Sequence, residues 1–312
     1  VEIETVRLKA SAYEIELPGL LPRRNGALIQ AEFKNGVFGF ADLMAWPELG
    51  DQSLQDELDR IRSGSPTQLG HQVLSNAWGD AQGRAENRSL WTSGMKCPPS
   101  HYLIGTPDDL EKFLSQRELG SPRGALKTGI AVKIKWAGNL NPSLLETMDF
   151  RWRIDFNERA SREDIQALLK STRLKSQIDF LEDPFPEKNL EDWKWLKESH
   201  PEVRIFGDFA PEINEAIIEF CDGFVLKPAS RSFEKALQSQ RSFCVTHSLG
   251  HPLGHMTAAW HAAQIYKTHP TTTSGFLPRP RSMSHWSYPD FPPGEGYGFE
   301  TSELLKLSWK SL

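Results

Sequence analysis

The sequence predicts an α/β chain: a (β/α)8-type barrel preceded by a small α+β domain. Three observations predict it. From His101 onward, short apolar runs rich in β-branched and aromatic residues alternate with helical patterns. Five of those runs lead into a charged residue, Lys135, Asp155, Glu182, Asp208 and Lys227, spaced about one strand plus one crossover helix apart, roughly 20–30 residues. The first part of the chain reads differently, as a strand meander followed by helices. At 312 residues the chain has room for a barrel of roughly 200 residues or more and a smaller domain.

In chain order, Glu2–Glu16 and Gly26–Phe40 alternate apolar and polar residues, and Asn35-Gly36 supplies a hairpin turn. Helical patterns follow over Leu54–Ile61 and Gln72–Arg88, and Cys97-Pro98-Pro99-Ser100 marks the boundary of a domain spanning 1–98. His101–Thr106 is a strand, and Thr106-Pro107-Asp108-Asp109 starts a helix with a cap and a first-turn proline. The next five strands are Ala131–Trp136, Arg151–Asn157, Ile178–Pro184, Val203–Asp208 and Gly223–Pro228, and Arg241–Ser248 and Thr271–Leu277 complete the barrel over 99–277. The tail, about 278–312, is rich in Pro, Gly, Ser and aromatics and is expected to pack back on the small domain.

Composition narrows the function classes. A net charge of −5, from 36 basic and 41 acidic residues, gives no nucleic-acid footprint. No apolar run approaches the roughly 18 residues of a membrane span, and the first residues lack the layout of a signal peptide. Cys97, Cys221 and Cys244 are odd in number and widely spaced, neither a disulfide framework nor a zinc motif. Cys221 and Cys244 read as small buried hydrophobes, and a cytoplasmic location fits.

The five charged residues carry the chemistry. Strand side chains alternate faces, so Lys133 shares a face with Lys135, and Arg153 with Asp155 and Asn157. Parallel barrel strands are ordinarily apolar on both faces, and inward charges are costly unless paired or bound to metal. Asp155, Glu182 and Asp208 converging without a cation would repel one another, and an all-oxygen set suits Mg²⁺, or alternatively Mn²⁺, better than zinc. Such an ion can hold a substrate carboxylate and stabilise the enediolate left when its α-proton departs. Lys135 and Lys227 flank that position, and a lysine beside other cations is pushed towards a general base's range. A single strand-end Asp is ordinarily a helix cap or ion-pair partner; five charged residues in register on consecutive units argue for a site and a small carboxylate substrate.

These residues resemble the enolase superfamily, in its muconate-lactonizing-type branch. Lys133-x-Lys135, Asp155-x-Asn157, Glu182-Asp183-Pro184, Asp208 and Lys227-Pro228 stand in that superfamily's order and spacing. Phe38–Trp46 with Pro47-Glu48-Leu49 is similar to its hairpin exit, and Ser75–Arg84 to a helix of its capping domain. Within the superfamily the likeness is to the o-succinylbenzoate synthase family of menaquinone biosynthesis, carried by Arg153, the short first domain and Leu253-Gly254. The resemblance implies a modified (β/α)7β barrel with the first domain as a cap. It implies a lyase that syn-dehydrates 2-succinyl-6-hydroxy-2,4-cyclohexadiene-1-carboxylate. Lys135 would be base and then acid, Lys227 a cation over the ring, and Asp155, Glu182 and Asp208 the Mg²⁺ ligands. Lys133, Arg153 and Asn157 would orient them, and His247 and Ser248 would lie near the substrate.

The chain departs from the pattern at Phe209-Ala210, at Asp42, where glutamate is common, and in the Thr246–His251 loop. Two lysines about one α-carbon also suit an N-acylamino-acid racemase or dipeptide epimerase, and a non-catalytic ligand-binding barrel is a third reading. His247, His251 and His255 have the spacing of a helical zinc site, but Pro252 argues for a loop and helix start at the barrel mouth. The Gly19–Asn25 loop is a candidate lid, with Arg23 or Arg24 available to a substrate carboxylate.

Overall fold

The computed structural model describes residues 5–17, 21–104, 131–136, 141–208, 215–277 and 294–312. The helix start at Thr106-Pro107-Asp108-Asp109, Phe209-Ala210, Gly19 and residues 278–293 lie outside the described residues.

The amino-terminal part forms an antiparallel sheet. Strands β1 (Thr5–Leu17), β2 (Leu21–Phe33) and β3 (Phe38–Leu43) pair in succession. The β2–β3 turn falls at Asn35-Gly36, where Gly36 takes φ 78°, the left-handed backbone that favours glycine. Helix α1 (Leu54–Arg62) is capped by Ser53, and α2 (Gln68–Ala85) by Thr67. The second helix therefore starts a turn before the Gln72–Arg88 pattern, because Thr67 supplies the cap. Its inward face, Leu69, Val73, Ala77 and Ala81, meets Ile29, Ala31 and Ala41 in a dry core.

Eight strands close a parallel barrel in chain order: β4 (Ser100–Ile104), β5 (Ala131–Lys135), β6 (Arg151–Asp155), β7 (Ile178–Glu182), β8 (Ile205–Gly207), β9 (Gly223–Leu226), β10 (Ser242–Thr246) and β11 (Thr273–Leu277), with β11 returning to β4. Described helices between them are α3 (Pro142–Glu146), α4 (Arg162–Leu169), α5 (Thr172–Gln177), α6 (Leu190–Ser199), α7 (Glu215–Ile218), α8 (Glu234–Leu237) and α9 (Pro252–Thr268). Register places Lys135 beside Asp155 and Asp155 beside Glu182, and Asp208 and Lys227 directly follow β8 and β9. Inside the barrel, Phe180 and Phe206 stack at 4.0 Å, with Val225 and Cys244 in the same cluster. A side chain on Gly223 would meet the Phe206 ring at 2.4 Å, so this stack needs glycine there. Cys221 and Cys244 are buried and Cys97 is exposed.

Residues 294–312 lie against the small sheet: α10 (Thr301–Leu304) precedes β12 (Lys310–Ser311), which pairs with β1. Asp80 of α2 joins three parts there. Its carboxylate accepts from Phe40 N (2.9 Å), Tyr297 N (2.9 Å) and Arg84 Nε (2.6 Å). Arg84 in turn donates to the Phe299 carbonyl (3.0 Å) and Thr301 Oγ1 (2.7 Å).

A second carboxylate docks the small domain on the barrel. Asp42 of β3 receives the Tyr13 hydroxyl (2.5 Å) and the His251 N–H (2.9 Å) at the start of α9. Added Cβ atoms on Gly250 or Gly254 would meet Asp42 Oδ2 at 2.2 and 2.4 Å, so the approach depends on both glycines. Burial pushes the Asp42 carboxyl up to about 7, against the two hydrogen bonds that favour its charge.

Two outcomes are expected. Asp80→Ala leaves the buried Arg84 cation with the part-exposed Glu295 (3.2 Å) as its carboxylate partner and orphans two backbone donors, and should cost roughly 3 kcal/mol in urea unfolding. For Asp42 the folded chain holds its proton more tightly than the unfolded chain, so stability falls as pH rises through the interval from about 4 to about 7. Asp42→Asn, which imitates the neutral carboxyl, should lose less stability than the parent between pH 5 and pH 8. Parallel stability curves for the two proteins would contradict this.

Candidate active site at the barrel mouth

The site is set by where each strand stops. In β5, Lys133 and Lys135 point to the same side, one below the other. Lys133 is buried between two carboxylates, 2.5 Å from Glu182 Oε1 and 3.0 Å from Asp155 Oδ2. Lys135 stands higher, its side chain 25% exposed and its Nζ 3.9 Å from Asp155 Oδ2. Across the mouth, Lys227 is ion-paired to Asp208 Oδ2. The two lysines thus stand on opposite flanks of the acidic group, on strands separated by β6, β7 and β8.

Electrostatics separate the two lysines of β5. Burial disfavours the Lys133 charge, but Asp155, Glu182 and Asp208 outweigh it and hold that ammonium well above its ordinary range. For Lys135, burial dominates, with Lys133 and Lys227 adding to it against Asp155, and the result is a lowered pKa. Lys133 therefore stays charged as a structural counter-ion, whereas Lys135 is the lysine prepared to lose its proton.

The carboxylates divide as well. Burial acts against Asp155, yet Lys133 and Lys135 keep its carboxyl low. Glu182 goes the other way: burial, with Asp155 and Asp208 nearby, outweighs Lys133 and pushes it up to about 7. Asp183 is buried and raised well above the carboxylate range by that burial and by Asp208, Glu182 and Asp155.

Among the described residues, the grouping whose ligand atoms converge within 4.8 Å is Glu182, Asp183 and Asp208. Asp155 stands beside it, with Oδ2 turned to Lys133 and Oδ1 accepting from Asn157 N (3.1 Å). Asp183 had no assigned role in the sequence reading; the signal was the adjacent acidic pair at the end of β7. Its Oδ1 accepts from Asp208 N (2.8 Å), so it fixes the backbone that carries Asp208. Asp183 and Asn157 take φ of 41° and 47°, and this strained backbone at the strand ends turns the carboxylates into the mouth. Glu182 Oε2 and Asp208 Oδ1 are buried oxygens without a hydrogen-bond partner. Two such oxygens among convergent carboxylates are the environment a divalent cation satisfies.

The remaining residues take particular places. Asn157 is exposed, and it meets Asp155 through its backbone N–H. Arg153 lies deeper, donating to Asp179 Oδ2 (2.9 Å) and 2.8 Å from His101 Nδ1, a buried layer beneath the carboxylates. His247 is buried, stacked on His255 with ring centroids 4.3 Å apart, and burial and Lys227 lower its pKa to about 4. Ser248 shares a hydrogen bond with Ser230 (2.6 Å), and its carbonyl accepts from Trp46 Nε1 (3.1 Å).

The three histidines do not assemble as a zinc site. His247 Nδ1 accepts from Leu249 N and His251 Nδ1 from Leu253 N, both at 3.1 Å, and His251 is the cap of α9. The proposed lid also resolves differently. Residues 21–25 belong to β2, with Arg24 opposite Ile15. Arg24 is buried over the Trp46 ring at 3.6 Å and paired with Glu48, because a guanidinium stacked on an indole shields its charge while keeping an anionic partner. Arg23 is exposed and 3.3 Å from Glu14.

Comparison with known proteins adds the following. Residues 18–83 match the family model described as O-succinylbenzoate synthase, N-terminal domain. The chain is 30% identical over 258 residues to an o-succinylbenzoate synthase of Bdellovibrio bacteriovorus, covering 78% of this chain and 74% of that one. The o-succinylbenzoate synthase from Thermosynechococcus elongatus, solved with Mg in its active site, superposes with a TM-score of 0.62 at 16% identity, over 86% of this chain and 93% of that one. A dipeptide epimerase from Cytophaga hutchinsonii, solved with Mg and the dipeptide D-Ala-L-Val, superposes with a TM-score of 0.68 at 15% identity, over 98% and 99%. These two superpositions speak to the fold alone. No described helix is long and apolar enough to cross a membrane.

Proposed function

The chain belongs to the o-succinylbenzoate synthase family, lyases of the enolase superfamily, and from that premise we propose that it syn-dehydrates 2-succinyl-6-hydroxy-2,4-cyclohexadiene-1-carboxylate to o-succinylbenzoate. The observation that carries the reading is the division of labour in β5: Lys133 pinned as a cation between Asp155 and Glu182, and Lys135 above it with a lowered pKa.

In this reading Asp155, Glu182 and Asp208 hold Mg²⁺, and Asp183 orients Asp208 from behind. The two unpartnered oxygens of Glu182 and Asp208 support the fit. When bound, Mg²⁺ supplies positive charge against which a substrate carboxylate can accept the electron pair of the departing α-proton. Neutral Lys135 takes that proton. Now an ammonium, it returns a proton to the leaving hydroxide on the same face, so the C–H and C–O bonds are lost as one water and the ring becomes aromatic. Lys227, ion-paired with Asp208 on the opposite flank, stabilises the developing negative charge. Ser248 and His247 line the side of the mouth nearest β10.

The opposed lysines also favour a second reading. With both able to exchange a proton with one α-carbon, the same set racemises an N-acylamino acid or epimerises a dipeptide. Deuterium incorporation into both enantiomers of an N-succinyl amino acid, without dehydration activity, would select that reading.

Two outcomes test the assignment. Lys135→Ala should lower the rate of aromatic product formation, followed by ultraviolet absorbance, by roughly 10²–10⁴-fold, and the acid limb of the parent's kcat/KM should lie below the ordinary lysine range. Full activity in the variant would reject Lys135 as the base; no turnover by the Mg²⁺-loaded parent would reject the synthase. Independently of activity, Mg²⁺ should raise the thermal midpoint of the parent and have little effect on Glu182→Gln or Asp208→Asn. Its apparent affinity should increase as pH rises through about 7, where Glu182 gives up its proton.

A further inference from the structure

Lys227 is the first residue beyond β9, so no strand pairing fixes its backbone on the far side. The three carbonyls that begin at Lys227 are nonetheless all engaged. That of Lys227 accepts from Ser230 N (2.9 Å) and Arg231 N (2.8 Å), which closes a tight turn. That of Pro228 accepts from Gln72 Nε2 (2.9 Å) and Asn76 Nδ2 (3.1 Å), and that of Ala229 from Asn76 Nδ2 (3.1 Å). Pro228 has no N–H to contribute, so its peptide is held through the carbonyl side. Gln72 and Asn76 are buried, lie one turn apart on α2, and belong to the other domain.

The Asn76 amide is also engaged on its other side. Its Oδ1 lies 3.1 Å from His261 Nε2 of α9. Burial lowers the His261 pKa to about 4, so the ring is neutral near pH 7, and Gln72 Nε2 also donates to the same Oδ1 at 3.4 Å. Because the two carbonyls can only accept, the amide nitrogen faces them, and the amide oxygen faces His261, where it selects the Nε2–H tautomer. No other side chain of similar shape has this pattern of one acceptor and two donors. The turn is further tied to the neighbouring loop by the Ser230–Ser248 hydrogen bond at 2.6 Å.

We infer that Asn76, assisted by Gln72, is a positioning residue for Lys227: helix α2 of the small domain sets where the lysine ammonium stands against Asp208 by gripping the two peptide carbonyls that follow it. The inference rests on the assignment of Lys227 to the reaction. It gives α2 a part in catalysis without contact to substrate, and it distinguishes Asn76 from a residue that merely holds the domains together.

The test uses Asn76→Asp, which keeps the shape but turns an oxygen towards two carbonyls, together with Lys227→Ala and the double variant. In the full-length Mg²⁺-loaded enzyme, Asn76→Asp should lower kcat by about 10–100-fold with KM changed less than about 3-fold, the scale of a misplaced catalytic group. In the Lys227→Ala background it should add nothing, because it acts through that lysine. In the absence of substrate, the acetylation rate of Lys227 by acetic anhydride, read by peptide mass spectrometry against the exposed Lys267, should change by several-fold. An Asn76→Asp loss that multiplies the Lys227→Ala loss, or unchanged Lys227 labelling in a folded variant, would overturn the inference. Should Asn76→Asp not fold, Gln72→Leu carries the same measurements. Absence of dehydration by the parent would count against the proposed reaction, and the labelling arm, which needs no substrate, would still decide the role of Asn76.

Discussion

The structure depends on one buried ammonium. Lys133 sits between Asp155 and Glu182 in a barrel interior that also holds the Phe180, Phe206, Val225 and Cys244 cluster. Removing ions from water costs several kcal/mol each, and like-charged carboxylates placed together add to that cost. One lysine offsets part of it. It keeps Asp155 ionised but leaves Glu182 raised to about 7 and two carboxylate oxygens without partners. That remaining imbalance is what makes the mouth a cation site, and the same arrangement frees Lys135, two residues further along β5, from a structural role.

The small domain completes what the barrel begins. Its α2 grips the turn after Lys227, and its β3 meets the start of α9 through Asp42. Trp46 holds the Ser248 carbonyl, while Arg231 of the Lys227 turn pairs with Asp51, whose other oxygen accepts from Trp46 N (2.8 Å). Two loops at the mouth are therefore braced from outside the barrel. Apart from the Arg231–Asp51 ion pair, these contacts hold backbone groups of the barrel loops. Such bracing limits the spread of positions that a proton-transfer group can occupy, which matters more to rate than to affinity.

The strained strand ends have a comparable purpose. A strand that continued in regular geometry would point alternate residues at the neighbouring layers. Left-handed backbone at Asn157 and Asp183 stops β6 and β7 abruptly after their carboxylates. The Asn157 N–H bonds to Asp155 within one loop, and the Asp208 N–H after β8 bonds to Asp183 after β7, so backbone donors orient both carboxylates.

Much of this was legible in the chain itself. The eight strands and the five charged residues at their ends follow from local rules, the period of two within a strand and the length of a strand-plus-helix unit, which need no knowledge of distant contacts. Lys133 and Lys135 share a face for the same reason. Other features could not be read that way. Arg24 looked available for substrate, but whether an arginine reaches a ligand or stacks on a tryptophan depends on what folds against it. Arg153, in register with Lys133, turned to Asp179 and His101 because the barrel interior offered a counter-charge there. Asp183, Asn76 and Asp42 acquire their roles only from partners on other elements, two of them in the other domain. The sequence by itself determined the barrel, the order of its strands and the charges at their ends, since those are set by neighbours along the chain. The tertiary structure alone decided which charge neutralises which and what holds the loops in place, since those depend on distances between residues that the chain keeps far apart.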